Sequence, residues 1–514
     1  MTTTSDPVRS RRRKAREPQV QAAPSATAFT LTNPFPRMEV FSADEVASLH
    51  NASLRVLEEL GIRILLQEAR DRFRDAGAIV DEESLMVRIG REIIEEALSI
   101  APPGFTFHSH TDGHDMPVGG RSLMFGAGAG CPNITDLERG RRPGSMADFC
   151  EGMKLIDSFP MIPKLTAVVE PQDIPIAIRH LHTTRAQLSL SDKMPFAYAR
   201  GQGQVLDCFE MVRIGMGLSE EEFRQKPCLH TVINTNSPRQ IDIPMAQGLI
   251  DFAEWGQVAV VTPFCLSGAM APITIAGALT LSHAEALAGI TLTQLVRSGT
   301  PVVYGAFSSN VDMRSGAPVF GTPEHMRTNF GAGQLARHVG LPWRSAAGTA
   351  ANTADAQATY ENQLALWGCL LGGANMIFHS AGWLEGGLTF SMEKFVTDHE
   401  VLQVVAAAMQ PVSADLGEIA FDAIAEVEPG GHFFAAAHTM ERYRTAFYET
   451  QVSDWSNFGQ WTEAGGKTAT ERAHEIWKQA LSEWQPPARD PAVLEALDAY
   501  VAKRTEEGGA SPVD

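Results

Sequence analysis

The chain has 514 residues, of which 44% are hydrophobic and 20% charged, and its 42 basic against 61 acidic side chains leave a net charge of −19. That balance repels phosphate backbones and anionic lipid, so neither nucleic acid nor a membrane surface is an expected partner. The six cysteines are scattered without a C-x-x-C pair, which argues against a disulfide framework or a structural zinc site and fits a reducing cytoplasm.

The basic run RSRRRKAR, at 9–16, sits among Pro, Ala, Thr and Ser with no apolar segment after it. Residues 1–29 therefore read as a disordered basic tail rather than a signal. No apolar run of membrane-spanning length is found. From Phe41, FSADEVASLHNASLRVLEELGIRI offers Ser42 or Asp44 as N-cap and places Val46, Leu49, Leu54, Val56, Leu57 and Leu60 at helical spacing before Gly61. More helix is expected at 66–76 and 91–99. GFTFHSHTDGHDMPVGG, centred on Asp112-Gly113, reads as a hairpin. Residues 30–120 thus form a mostly helical N-terminal region.

Over 121–411 a rhythm begins. Short β-rich runs at 122–130, 164–171, 195–200, 228–236, 258–268, 301–307, 342–349 and 375–382 alternate with segments of helical length and period. Unbroken apolar strands joined by helical crossovers indicate a parallel sheet covered on both faces. Eight such units fit an α/β fold closed as a (β/α)8, or TIM, barrel. An open doubly wound sheet is the structural alternative, but it lacks a G-x-G-x-x-G turn here. Residues 412–514 lie outside the eight units and are expected to pack on the barrel as a C-terminal cap.

In such a barrel the chemistry sits where strands end. Those ends carry Asn133, Glu170, Arg200, Asn234, Asn236, Phe264, Phe307, Asn310, Asn352 and the tip from His379 to Phe390. Aromatic rings with few basic groups suit a ligand bearing a permanent cation. Histidines 108, 110 and 114, the pair 180 and 182, and the pair 432 and 438 lack metal-ligand spacing, so no metal site is expected. A carbonyl chemistry built on a Schiff base would need a lysine at a strand end, whereas Lys164 and Lys193 stand at strand starts.

Long words in the chain carry a resemblance. LSGAMAPITIAGALTLSHAEALAGITLTQLVRSGTPVVYGAFSSNVDMRSGAPVFGTPE (266–324), DAQATYENQLALWGCLLGGANMIFHSAGWLEGGLTFSMEKFVTDHEV (355–401) and GHFFAAAHTMERYR (431–444) resemble the trimethylamine methyltransferase family, as does FGAGAGCPNITDLERGRRPGSMADFCEGMKLIDSFPMI (125–162). The resemblance runs from about residue 35 to about residue 480. It implies a barrel enzyme that moves a methyl group from a methylated amine to the cobalt of a corrinoid (cobalamin) bound on a separate small protein, and it implies a homo-oligomer. The family's archetypes carry a pyrrolysine, and this chain has only standard residues. A neutral amine leaves poorly, whereas a quaternary ammonium departs as a neutral tertiary amine. The substrate implied is therefore a quaternary amine such as glycine betaine, proline betaine or a carnitine-type compound. Trimethylamine as substrate, or a quaternary-amine-binding protein without turnover, are the alternatives.

On strand-end position, Tyr304, Phe307, Trp383 and Phe390 are expected as cage rings, with Glu385 or Glu170 as counter-charge. His379 is the donor to a substrate carboxylate, with Arg200 as a second candidate and Asn234 beside them. His379 and Glu170 are the catalytic candidates. Gly126, Gly128 and Gly382 would let the corrinoid macrocycle approach.

Overall fold

Six of the eight expected strands form one parallel array: β1 (Ser122–Phe125), β2 (His230–Ile233), β3 (Val258–Val261), β4 (Val302–Gly305), β5 (Trp343–Ala346) and β6 (Met376–Phe378). The computed structural model describes residues 31–109, 111 and 113–513, so the basic tail expected over 1–29 and His110 lie outside it. The strands pair in the order β2-β3-β4-β5-β6-β1, and Leu31–Thr32 adds antiparallel to β1 as a seventh strand. Register places Val260 opposite Val303 and Arg344 opposite Met376.

The eight-stranded ring is met only in part. The runs expected at 164–171 and 195–200 make single bridges, Cys131 to Val169, Lys164 to Met194 and Phe196 to His230, instead of ladders. Pro163, Pro171 and Pro195 flank these runs and have no amide hydrogen to give a ladder. The Leu165 amide still donates to the Met194 carbonyl at 2.8 Å and the Gly130 amide to the Ala167 carbonyl at 2.8 Å. The fold is mixed α/β.

Side-chain parity explains the unbroken apolar strands. Met124, Val258, Val260, Val303, Met376 and Phe378 point to one side, where they pack with Phe107, Met116 and Val118. Their neighbours Leu123, Phe125, Ala259, Val261, Val302, Tyr304 and Ile377 point to the other, into the helical layer. Phe107, Met116 and Val118 belong to the expected hairpin, Gly104–Phe107 against Met116–Gly119, which plugs the floor of the inner core.

Eight crossover helices follow the runs: α1 (Met146–Ser158), α2 (Ile176–Leu190), α3 (Gln202–Met216), α4 (Ile243–Glu254), α5 (Ile275–Val296), α6 (Pro323–His338), α7 (Ala356–Gly372) and α8 (Met392–Ala408). Their starts are written in the sequence. Ser145 and Asp148 form a capping box at α1, Thr322 precedes Pro323 at α6, and the Asp355 carboxylate accepts from the Gln357 and Ala358 amides at α7. Among the described residues α5 is long and apolar enough to cross a membrane, with hydropathy 1.3, yet 72% of that window is buried inside the molecule. It is apolar all round because α4, α6 and the N-terminal helices enclose it.

The N-terminal region has the helices expected from its periodicity, with Gln67–Asp75 and Arg91–Ile100 in place, and adds strands that periodicity did not indicate. Helix Ala43–Arg55, capped by Ser42, is followed by strands Ile62–Ile64, Ile79–Asp81 and Met86–Arg88, which form a small sheet with Gln240–Ile241. Three-residue strands are too short for an alternation to register in the sequence. At the other end, α9 (Ala469–Glu483) lies on α8 and α1, and α10 (Pro491–Glu506) lies on α2 and α3. These helices flank the helical layer.

One carboxylate fastens α10. Asp207 accepts from Tyr500 at 2.8 Å, Arg504 at 2.7 Å and His180 at 2.8 Å. Burial alone would raise its pKa, but the bonds from His180, Arg504 and Tyr500 hold it at about 2. A carboxylate depressed in the fold stabilises above its unfolded value and loses that contribution as pH falls. Acid denaturation followed by tryptophan fluorescence should therefore show a loss of stability between about pH 4 and about pH 2. In Asp207→Asn this component should vanish, and guanidinium unfolding at pH 7 should show a cost on the order of 3 kcal/mol, the scale for breaking a buried charge network.

Candidate active site

β6 ends at His379, whose backbone takes φ of 55°, and Glu385 in the same tip takes 54°. Positive φ in residues with a Cβ is sparsely populated and persists where surrounding contacts enforce it. Those contacts are visible. Trp383–Leu384 pairs antiparallel with Thr389–Ser391, which in turn runs parallel to Asn133–Thr135 beyond β1. The Gly382 amide donates to Asp398 of α8 at 2.9 Å, and Lys394 fixes that carboxylate at 2.6 Å.

The left-handed turn lays the His379 imidazole flat on the Trp383 indole, with centroids 4.5 Å apart and planes at 16°. Phe307, just past β4, lies 5.6 Å from His379 and 5.8 Å from Trp383, and Phe320 stacks on Phe307 at 5.3 Å. Phe264, past β3, joins at 5.1 Å from Phe307. Rings from three strand ends thus converge.

Beneath them lie two cationic side chains. The Arg344 guanidinium of β5 is 4.6 Å from the Phe378 ring centre and 5.6 Å from that of Phe307, and its Nη2 is 3.3 Å from His379 Nε2. Lys164 Nζ sits 3.7 Å from the same Phe378 ring centre and 3.3 Å from His230 Nε2. Both side chains are buried. Arg344 Nε and Nη1, His379 Nδ1 and Trp383 Nε1 find no hydrogen-bond partner among the described residues. Burial pulls Arg344 down to about 9, and burial followed by Arg344 pulls Lys164 well below its ordinary value. Burial, with Arg344 and Lys164 nearby, likewise keeps His379 neutral near pH 7. Unpaired buried donors on a cation are costly. The arrangement is one that an anionic oxygen would satisfy.

Of the residues expected from the sequence, His379, Trp383 and Phe307 come together. Tyr304 does not: by strand parity it points outward, and its hydroxyl meets His283 Nδ1 of α5 at 2.9 Å. Phe390 is fully buried and its ring neighbour is Phe395 of α8 at 6.0 Å, so it supports the tip from behind. Glu170 and Arg200 neutralise each other through two bonds of 2.9 and 3.0 Å. Glu385 is held the same way by Arg141 at 2.9 and 3.0 Å. Neither carboxylate is left as a counter-charge for a ligand. Asn234 is exposed and donates to the Thr262 carbonyl at 3.1 Å, apart from the rings. The glycines leave no cradle for a macrocycle. A Cβ on Gly126 would meet Lys164 at 2.7 Å, one on Gly128 Trp383 at 3.0 Å, and one on Gly382 Phe390 at 2.4 Å. They make room for this chain's own side chains.

Lys164, Arg344, His230 and Phe320 were not singled out from the sequence. Arg344 carried the clearest signal, a lone cation inside the apolar run PWRSAAGT. Lys164 was set aside as standing at a strand start, yet the bridge to Met194 turns its side chain inward.

Comparison with known proteins places the chain in a family. The family model described as trimethylamine methyltransferase (MTTB) matches residues 9–509. The chain is 35% identical over 476 residues, 92% of its length and 98% of the relative's, to a glycine betaine methyltransferase of Desulfitobacterium hafniense. It is 28% identical, over 91% of this chain and 95% of the relative, to a trimethylamine methyltransferase of Methanosarcina barkeri. The crystal structure of the Methanosarcina barkeri monomethylamine methyltransferase aligns with a TM-score of 0.47 at 10% identity, over 87% of this chain and 88% of that one. With its family model spanning almost every residue, the chain belongs to the trimethylamine methyltransferase family.

Proposed function

We propose that the chain takes a methyl group from a zwitterionic quaternary amine of the betaine type and passes it to a corrinoid carried by a separate protein. In this reading the five parallel ladders and three bridges constitute a (β/α)8 barrel over 121–411, flanked by 30–120 and 412–514. The observation that carries the proposal is an uncompensated guanidinium directly beneath a cluster of rings. Phe307, Trp383 and Phe320 offer π faces to a permanent cation, each worth roughly 0.5 to 2 kcal/mol. Arg344 and neutral His379 offer donors to a carboxylate. A betaine carries both groups, joined by a short link. Choline and trimethylamine would leave Arg344 unpaired. The 35% identical relative named a glycine betaine methyltransferase supports the reading.

The corrinoid, when bound, supplies the nucleophilic cobalt that accepts the methyl group. The chain's own residues bind, orient and exclude water. A quaternary nitrogen leaves as a neutral tertiary amine, so no side chain has to deliver a proton. The locked Glu170–Arg200 and Glu385–Arg141 pairs fit that requirement.

An anaerobic assay with reduced cob(I)alamin and single substrates tests the reaction. Methylcob(III)alamin should form with one or more of glycine betaine, proline betaine and carnitine, and should not form with choline or trimethylamine. Turnover of trimethylamine would sink the leaving-group argument, and binding of a betaine without turnover, with a corrinoid protein supplied, would make the chain a sensor.

Arg344→Met should weaken betaine binding about 100-fold by calorimetry, the scale of roughly 3 kcal/mol for lost charge-assisted bonds. The same variant, without ligand, should melt no lower than the wild type, because an unpaired buried charge has been removed. Burial brings Arg344 down to about 9, so betaine affinity should fall as pH rises through that value. Gly348→Ala, whose Cβ would come within 2.3 Å of the Trp383 ring, should displace the indole. A shifted tryptophan emission, a loss of about 1–3 kcal/mol and weakened betaine binding are expected.

A further inference from the structure

Glu361, on the second turn of α7, is a buried carboxylate that touches none of the rings. Its Oε2 accepts from the Ala350 and Ala351 amides at 2.8 and 3.0 Å, and its Oε1 accepts from the Gln357 side chain, one turn earlier, at 2.8 Å. Residues 347–351, which follow β5, belong to no helix or strand. The Ala350 and Ala351 amides therefore have no ladder to enter, and a buried amide without an acceptor is costly. One carboxylate serves both.

The loop held in this way holds the tip after β6. Its Ala351 and Thr349 carbonyls accept from the Glu385 and Gly386 amides, each at 2.9 Å, and the Thr349 hydroxyl donates to the Trp383 carbonyl at 2.9 Å. Gly348 lies against the indole, where a Cβ has no room. Gly321, in the loop after β4, rests on the α7 backbone at Glu361 itself; its φ of 64° and the close approach leave no space for a side chain there. Its neighbour Phe320 is thereby placed 5.3 Å from Trp383. Loops from three strand ends thus take their positions from one turn of α7.

We propose that Glu361 is a positioning residue: through the 348–351 loop it sets Trp383 against Phe320, and so sets the preference of the site for a permanent cation over a neutral ligand of the same shape. The proposal rests on the reading of the ring cluster as a cation site. A quaternary nitrogen has no hydrogen to donate, so ring faces are what tell it from a neutral tert-butyl group. That attraction requires the cation within about 6 Å of each ring centre. Apolar contact alone makes no such distinction, and a loop that drifts loses the preference first.

Glycine betaine and 3,3-dimethylbutanoate test this, since the second keeps the shape and the carboxylate but has carbon in place of the quaternary nitrogen. By calorimetry the wild type should bind the betaine about 30-fold tighter, the scale of two ring contacts. Glu361→Ala should reduce the ratio to about 3-fold, and Glu361→Gln, which keeps an acceptor for both amides, should retain it. The ratio is read on folded molecules only, so a variant that is simply less stable leaves it unchanged. Should the alanine variant not fold, Glu361→Asp, one methylene short of the loop, should give a ratio of about 10-fold. A second readout needs no ligand: in protein labelled with 5-fluorotryptophan, the Trp383 fluorine signal, assigned by its loss in Trp383→Phe, should move in Glu361→Ala and stay in Glu361→Gln. An unchanged ratio, an unmoved Trp383 signal, or a ratio lost equally in Glu361→Gln, which would make the carboxylate a counter-charge, would each overturn the proposal. A wild type that binds the two ligands equally, or neither, would instead show that the rings are not a cation site, and the fluorine signal would still decide whether Glu361 positions Trp383.

Discussion

Parallel strands covered on both faces have no solvent-facing side on which to put charge, so any ionisable group on them must be buried inward or among the helices. In this protein the inward face is apolar below, where Val258, Val260, Val303 and Met376 pack on the floor hairpin, and cationic above, where Lys164 and Arg344 share the Phe378 ring. Among the described residues no carboxylate offsets either one; burial dominates their titration. The local acids are spent elsewhere, on Arg200 and Arg141 at the rim. A core whose buried guanidinium has no acidic partner among the described residues, beneath a rim that neutralises its own acids, is arranged around a missing anion.

The backbone pays for the other half of the site. His379 adopts a left-handed conformation with its ring stacked on Trp383, and the ladder behind it, together with Asp398 and Lys394, keeps the turn from relaxing. Strain of about 1–3 kcal/mol at such a residue is tolerated only when neighbouring contacts over-determine it. The rings and the guanidinium are thereby held at fixed separation, and a ligand ordered by them need not order them in turn.

Much of the architecture was legible in the sequence. The cap at Ser42, helices α1 to α8, the floor hairpin and six of eight strands followed from periodicity and turn chemistry. The site was legible where position along the chain decides direction, as for Phe307, His379 and Trp383 at strand ends. It was not legible where parity decides: Tyr304 lies one residue from inward-facing Val303 and so meets His283. Pairings distant in sequence were hidden too, since Glu385 and Arg141 are 244 residues apart.

The hairpin floor has a kinetic meaning. Phe107, Met116 and Val118 pack under the strands at the end opposite the rings, so in the proposed reaction molecules would enter and leave through a mouth at the strand ends. In the proposed reaction that mouth is also where the corrinoid protein must dock. Substrate then enters ahead of the docking protein and the demethylated amine leaves after it departs, an ordered sequence in which the two traffics share one door.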